Sequence, residues 1–293
     1  MSQPRLPEAE GHLQSTHRRR IYWERHGTGA RETVVLLNGL AMHTKAWYGF
    51  LDELLDRYDV LLFDYPGQGD SDSPDEPTTI PDLAGHLLAI LEHLRLPAVH
   101  LVGISYGGFV ALDFARLYQD RLHTLVLSGI LLSHERQFQM YQDLSLRFYR
   151  GGAAAFELYT HYLYEKIFGE AFLRAVDPAD LEAMRRRFHE RYAERVHSLV
   201  RLTEAQDPFF AQLDDHLPGY GAIDTPTLIL AGAEDRAIPP RMQRPIADVL
   251  ADARYVEIPA AGHVVHLERR DVFFPALRAF FAARRTDVDL ALG

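Results

Sequence analysis

The sequence predicts an α/β fold: a mostly parallel, doubly wound sheet with a helical segment inserted between two of its strands. Three observations predict it. After about residue 18, short β-branched or Leu-rich runs alternate with longer amphipathic segments of period near 3.6. The runs "TLVLSGI" and "TLILAG" are apolar almost without interruption, as strands are when helices cover both faces of a parallel sheet. Between about residues 133 and 217 the alternation stops, and "QFQMYQDLSLRFYRGGAAAFELYTHYLYEKIF" and "DLEAMRRRFHERYAERVHSLVRL" read as helices in succession.

Taken in order, residues 1–17 are rich in Pro, Glu and Gln and read as a polar N-terminal tail with no apolar core of signal-peptide length. A strand at 19–24 opens on the basic run Arg18-Arg19-Arg20, which suits a solvated strand edge. Strands at 33–37 and 60–63 flank a helix over 47–57, and a helix over 80–94 leads to a strand at 99–102. A helix over 106–117 then precedes a strand at 124–128. Beyond the insertion come a strand at 227–231, a helix over 240–250, a strand at 255–258 and a last helix over 266–283. Residues 18–132 and 218–293 therefore make the α/β core, and 133–217 an inserted helical domain. A sheet of this kind places its ligand site beyond the carboxyl ends of the strands.

Composition narrows the chemistry. In 293 residues, 47% apolar side chains suffice for a well-buried core, and the formal net charge of −10 disfavours attraction to nucleic-acid phosphate or anionic lipid. Neither nucleic acid nor membrane is expected as a partner. Cysteine is absent, which excludes disulfides, thiolate metal sites and cysteine nucleophiles. No stretch is long and apolar enough to span a bilayer, so the expectation is a soluble, cytoplasmic protein.

The stretch "HLVGISYGGFVAL" sets one hydroxyl, Ser105, among three glycines between a buried strand and a helix. A strand that turns abruptly into a helix brings backbones together and strains the turn residue, and Gly103, Gly107 and Gly108 remove side chains that would clash. The hydroxyl is lifted to the sheet edge, where the Tyr106 N–H at the helix start can donate to a developing oxyanion. The competing reading of Ser105 is a helix N-cap.

A serine needs a base, and His suits that near neutral pH. Of fifteen histidines, His263 follows the last strand directly, in "RYVEIPAAGH". His266 reads as a packing or supporting residue, and His43 and His134 as surface or cap residues within reach of the pocket. A carboxylate should fix the imidazole's tautomer. "TLILAGAEDRAIPP" offers Glu234 and Asp235 after a strand, and Asp235, next to the helix-starting prolines, is preferred, with Glu234 assigned to a surface base. Asp64 in "FDYPGQGDSD" reads as structural. A second oxyanion donor should come from the loop in "VVLLNGLAMHTKAW", where Gly39 permits close approach and the Leu40 N–H is favoured over that of Ala41.

With serine, acid and histidine in that chain order, the sequence resembles the α/β-hydrolase family over roughly residues 18 to 284. The resemblance rests on Gly103-Ile104-Ser105-Tyr106-Gly107-Gly108, the turn Asp64-Tyr-Pro-Gly-Gln-Gly-Asp-Ser71, Gly232-Ala-Glu-Asp235 and Ala261-Gly262-His263. It implies Ser105 as nucleophile, His263 as general base and then acid, Asp235 as orienter, and the helical insertion as a cap that sets substrate choice. Many members carry His-Gly where this chain has Asn38-Gly39; relatives with Asn-Gly include 3-hydroxyacyl transferases, which keeps acyl transfer open beside hydrolysis. Haloalkane dehalogenases in the family use Asp as nucleophile, against which Ser105 argues.

The expected activity is cleavage of carboxylic esters, lactones included, through an acyl-enzyme, with no metal or organic cofactor required. A non-catalytic small-molecule receptor is the reading from another class. The substrate is a small ester or acyl compound. Aromatic residues of the insertion point to an apolar pocket, with Met140, Phe148, Tyr159 and Tyr162 as candidate lining. Asp207, Asp214 and Asp215 would disfavour anionic substrates if they faced the entrance. Since neutral imidazole is needed, activity should rise through about pH 6 to 7.

Overall fold

The computed structural model describes residues 6–14, 20–73, 76–290 and 292. Among them the apolar runs form one eight-stranded sheet in the order β1-β2-β4-β3-β5-β6-β7-β8: β1 Ala9–Gln14, β2 Arg20–His26, β3 Thr33–Leu37, β4 Asp59–Phe63, β5 Val99–Ile104, β6 Leu122–Ser128, β7 Thr227–Gly232 and β8 Ala253–Ile258. From β4 to β8 all pairings are parallel, while β1 and β2 run antiparallel to their neighbours. The expected α/β architecture is present.

Strand periodicity divides the core between the two faces. On β3, Val35 and Leu37 join one apolar cluster and Val34 and Leu36 the other. The first cluster lies under helices α1 (Ile80–His93) and α2 (Tyr106–Tyr118). The second lies under a 3-10 helix, Thr44–Glu53, and the C-terminal helix. A capping box on Thr79 and Asp82 starts α1.

Four expectations change. Residues 9–14 of the expected polar tail form β1, an edge strand paired along its length with β2. Its mostly exposed side chains hid it from an apolar-run criterion. The helix expected over 47–57 is the 3-10 segment just named, shifted three residues earlier at its start. The helix expected over 240–250 is broken into Pro240–Gln243 and Ile246–Val249, with Pro245, which has no N–H to give an α-helical ladder, between them. The last helix is likewise divided, Val265–Glu268 then Arg270–Ala283, where Arg269 leaves helical geometry at φ −130° and ψ 54°. Arg18 and Arg19, with residues 1–5 and 15–17 of the expected tail, lie outside the described residues; Arg20 is exposed at the start of β2.

The insertion between β6 and β7 is helical throughout: α3 Arg136–Arg150, α4 Ala153–Ile167, α5 Glu170–Ala175, α6 Pro178–Tyr192, α7 Val196–Glu204, α8 Asp207–Ala211 and α9 Leu213–Gly221. A separate apolar cluster of Tyr149, Phe156, Tyr159, Tyr192 and Leu199 holds α3, α4, α6 and α7 together over the carboxyl ends of the strands. The last two helices pack on α2 instead: the Phe209 and Phe109 rings are 5.3 Å apart, and Tyr220 Oη donates to Asp113 Oδ1 at 3.1 Å. Among the described residues no helix is long and apolar enough to cross a membrane.

Candidate active site

Ser105 sits between β5 and α2 with φ 50° and ψ −122°, a conformation that non-glycine residues avoid. The surroundings enforce it. A Cβ at Gly107 would lie 2.7 Å from Asn38 O, and one at Gly103 2.5 Å from Gly107 O, so helix and strand meet only through glycine. The Ser105 N–H donates to Ser128 O at 2.7 Å, which ties the turn to β6. The serine makes no side-chain cap bond to α2. Its oxygen turns the other way.

Ser105 Oγ is 2.8 Å from His263 Nε2, and His263 Nδ1 is 2.8 Å from Asp235 Oδ2. His263 follows β8 and Asp235 follows β7, so three strand ends converge on one line of polar atoms. Asp235 is itself fixed, its Oδ1 accepting the N–H groups of Ala237 at 2.9 Å and Ile238 at 2.8 Å. Burial alone would push the His263 pKa down; the Asp235 charge and hydrogen bond, with the Glu268 charge, outweigh it and hold the group above its ordinary 6.5.

The Leu40 loop lies beside this line, since a Cβ on Gly39 would stand 3.6 Å from Ser105 Cβ. Among the described residues neither the Leu40 nor the Tyr106 N–H meets an acceptor. The Ala41 N–H is occupied: with the Gln68 amide oriented to satisfy both its ends, its oxygen accepts from Ala41 N at 2.8 Å and its nitrogen donates to Met42 O at 2.8 Å. Leu40, Ser105, Tyr106 and His263 all face one cavity of about 480 Å³ between the sheet and the inserted helices. Phe109, Phe138, Tyr159, Leu163 and Phe168 supply much of its apolar wall.

Residues 32–270 match the family described as alpha/beta hydrolase fold. The chain belongs to that family. Among solved structures, an alpha/beta hydrolase enzyme from a Medee basin deep-sea metagenome library is 27% identical, with a TM-score of 0.84 over 95% of this chain and 99% of that one. A thermophilic esterase from Thermogutta terrifontis is 26% identical, with a TM-score of 0.78 over 95% of this chain and 100% of that one. A poly(3-hydroxyalkanoate) depolymerase of Ectopseudomonas oleovorans is 25% identical over 256 residues, 86% of this chain and 85% of that protein.

Of the expected site residues, this α/β-hydrolase brings Ser105, Asp235, His263, Leu40, Tyr106 and Tyr159 to the same place. Three expected lining residues are elsewhere. Met140 is 63% exposed on the outer side of α3. Half-buried Phe148 and Tyr162 meet with tilted rings, centres 5.7 Å apart, among the aromatic residues of the inserted helices and away from the cavity wall. Glu234 accepts the Ala171 N–H at 3.1 Å, a backbone partner at the start of α5 in place of the expected surface base.

The other weighed residues are structural. His266 is buried with its ring 5.0 Å from Trp47, and burial pushes its pKa down to about 3. His43 precedes the 3-10 helix without lining the cavity, and exposed His134 is 3.3 Å from Asp214. Asp64 accepts from Thr44 N at 2.7 Å and Asp70 N at 2.9 Å, with burial raising its pKa to about 6. Asn38 is buried, its Nδ2 donating to Phe63 O at 2.9 Å and its Oδ1 accepting from Trp47 Nε1 at 2.9 Å. Asp207, Asp214 and Asp215 do not line the cavity.

Two supporting residues escaped sequence reasoning. Gln243 is fully buried and donates to Asp235 Oδ2 at 3.1 Å. Glu268 accepts three N–H groups, those of Gly262 and Gly169 at 2.8 Å and Val264 at 3.1 Å, joining the His263 loop to the turn between α4 and α5. A glutamine and a glutamate on short helices carry no local mark of such roles. The only available signal was their proximity in sequence to Asp235 and His263.

Proposed function

We propose that this α/β-hydrolase is a carboxylic-ester hydrolase acting on small molecules, lactones included, whose acyl part is largely apolar. The observation that carries the reading is the Ser105–His263–Asp235 line, with both contacts at 2.8 Å, opening on a mainly apolar cavity. Ser105 Oγ attacks the acyl carbonyl while His263 Nε2 takes its proton, and Asp235 holds the imidazole and stabilises its charged form. The N–H groups of Leu40 and Tyr106 receive the negative oxygen of the tetrahedral intermediate. Collapse expels the alcohol, protonated by His263, and leaves an acyl-serine. Water, deprotonated by His263, then attacks the same carbonyl, and release of the acid restores Ser105 Oγ–H.

The Asn38-Gly39 pair kept acyl transfer open on sequence grounds, but the Asn38 side chain is committed to Phe63 and Trp47 and does not reach the cavity. It therefore gives no preference for an acceptor other than water. The test is a series of para-nitrophenyl esters from acetate to octanoate with wild type and Ser105→Ala. The substitution is expected to lower kcat by ~10⁴- to 10⁶-fold without changing the melting temperature. Equal activity in the two proteins would remove Ser105 from the mechanism.

A further inference from the structure

Met184, Arg187, Phe188 and Arg191 of α6 all line the cavity. Their spacing is that of a single helical face, so the face of α6 that borders the cavity carries two guanidinium groups. The neighbouring arginines of the same run are paired: Arg185 lies 2.5 Å from Glu182, and Arg186 lies 3.9 Å from Glu190. Arg187 and Arg191 form no ion pair among the described residues, and no Asp or Glu side chain lines the cavity. In a chain of net charge −10, the rim of this mainly apolar cavity carries two cations and no acid.

Like charges four residues apart repel and unsettle a helix. An entirely apolar ester would leave that repulsion in place, whereas a carboxylate between the two groups relieves it and accepts the forked hydrogen bonds that a guanidinium is built to give. Ser105 is held by the sheet and the arginines by the cap, so the two ends of one substrate are read by different layers of the fold.

We propose that the preferred substrates are esters carrying a carboxylate at the end remote from the scissile bond, held by Arg187 and Arg191. The proposal rests on the ester-hydrolase reading and narrows its substrate class. Both arginines are exposed at the cavity rim, so solvent screens the attraction and the preference is moderate.

The experiment compares para-nitrophenyl hydrogen adipate with para-nitrophenyl hexanoate, which has the same acyl length without the charge, in wild type, Arg187→Gln, Arg191→Gln and the double variant. Wild type is expected to favour the adipate ester by about 10-fold in kcat/KM, and the double variant to lose most of that ratio. A parallel arm measures the melting temperature with free adipate or free hexanoate, which reads binding without catalysis. Adipate should stabilise wild type more than the double variant, and hexanoate both alike. Cleavage of both esters with an unchanged ratio across the variants overturns the carboxylate assignment and leaves the hydrolase reading intact. Cleavage of neither ester, with adipate stabilisation that depends on the arginines, overturns the hydrolase reading and supports the carboxylate site; stabilisation that ignores the arginines overturns the site.

Discussion

Gln243 donates to Asp235 Oδ2 at 3.1 Å, the oxygen that also stands 2.8 Å from His263 Nδ1. The same amide nitrogen donates to Ile238 O at 2.7 Å, and its oxygen accepts the Gly129 N–H at 2.9 Å. One buried side chain thus ties together the loop after β6, the loop after β7 and the carboxylate that orients the histidine. Gln243→Leu keeps the volume but strands the Gly129 N–H and removes a donor from Asp235. Urea unfolding should show a loss of about 2–3 kcal/mol, and kcat should fall roughly 10- to 100-fold with little change in KM. A variant that loses stability at full kcat would show that Gln243 supports the fold and not the orientation of Asp235.

The pH profile follows from His263. Sequence alone places the rise near pH 6 to 7, at the ordinary imidazole value of about 6.5. In the folded protein the Asp235 charge and hydrogen bond, with Glu268, raise the pKa above 6.5 against the opposing effect of burial. A base of this kind works in its neutral form, so kcat/KM for a neutral ester should climb through an inflection above pH 6.5. Asp235→Asn removes the stabilising charge, and the inflection should move down while the plateau drops by about 10³- to 10⁴-fold. An inflection that stays put in this variant would assign the titration to another group.

Gly129 supports the imidazole by being small. It has φ +67°, and a Cβ there would sit 2.7 Å from His263 Cε1. Gly129→Ala therefore meets both an unfavourable backbone and the His263 ring. The expected cost is roughly 1–2 kcal/mol in stability, with kcat falling about 10- to 100-fold because the ring must shift relative to Ser105. Full activity would mean that His263 has room to retreat.

Acid should destabilise the protein through buried neutral histidines. Burial lowers the pKa of His266 to about 3, and burial chiefly lowers those of His43 and His100 to about 4. Between those values and 6.5 the unfolded chain binds protons that the folded chain refuses, so stability falls as pH falls. Asp64 opposes this, while His263 adds no slope below pH 6.5. Asp64, raised to about 6, favours the folded state as pH drops, and His263, raised above 6.5, gives stability that is present below 6.5 and lost as pH rises through its folded pKa. His123 is lowered as well, and so are Glu24, Glu32 and Glu53, against the raised Asp207 and Glu268; with more groups lowered than raised, the melting temperature should drop on the order of 5–10 °C from pH 6.5 to pH 4.5. His266→Phe, which keeps an aromatic ring beside Trp47, should flatten that slope; an unaltered slope would clear His266 of the effect.

Seven of the eight strands, the turn at Ser105 and the chain positions of Asp235 and His263 are legible in the sequence. Each has a local cause: apolar runs that need two covered faces, glycines where backbones touch, polar residues directly after strands. Tertiary structure decided the rest. Ser105 and His263 are 158 residues apart, and only the parallel order of β5 to β8 sets their side chains within a hydrogen bond. The inserted helices show the limit most plainly. Aromatic residues stand on several sides of α3 and α4, so the chain does not state which side of each helix will face the cavity. The rotation is fixed when the helices pack on one another, and it turns Tyr159 inward, leaves Met140 in solvent, and sets Arg187 and Arg191 of α6 at the cavity rim.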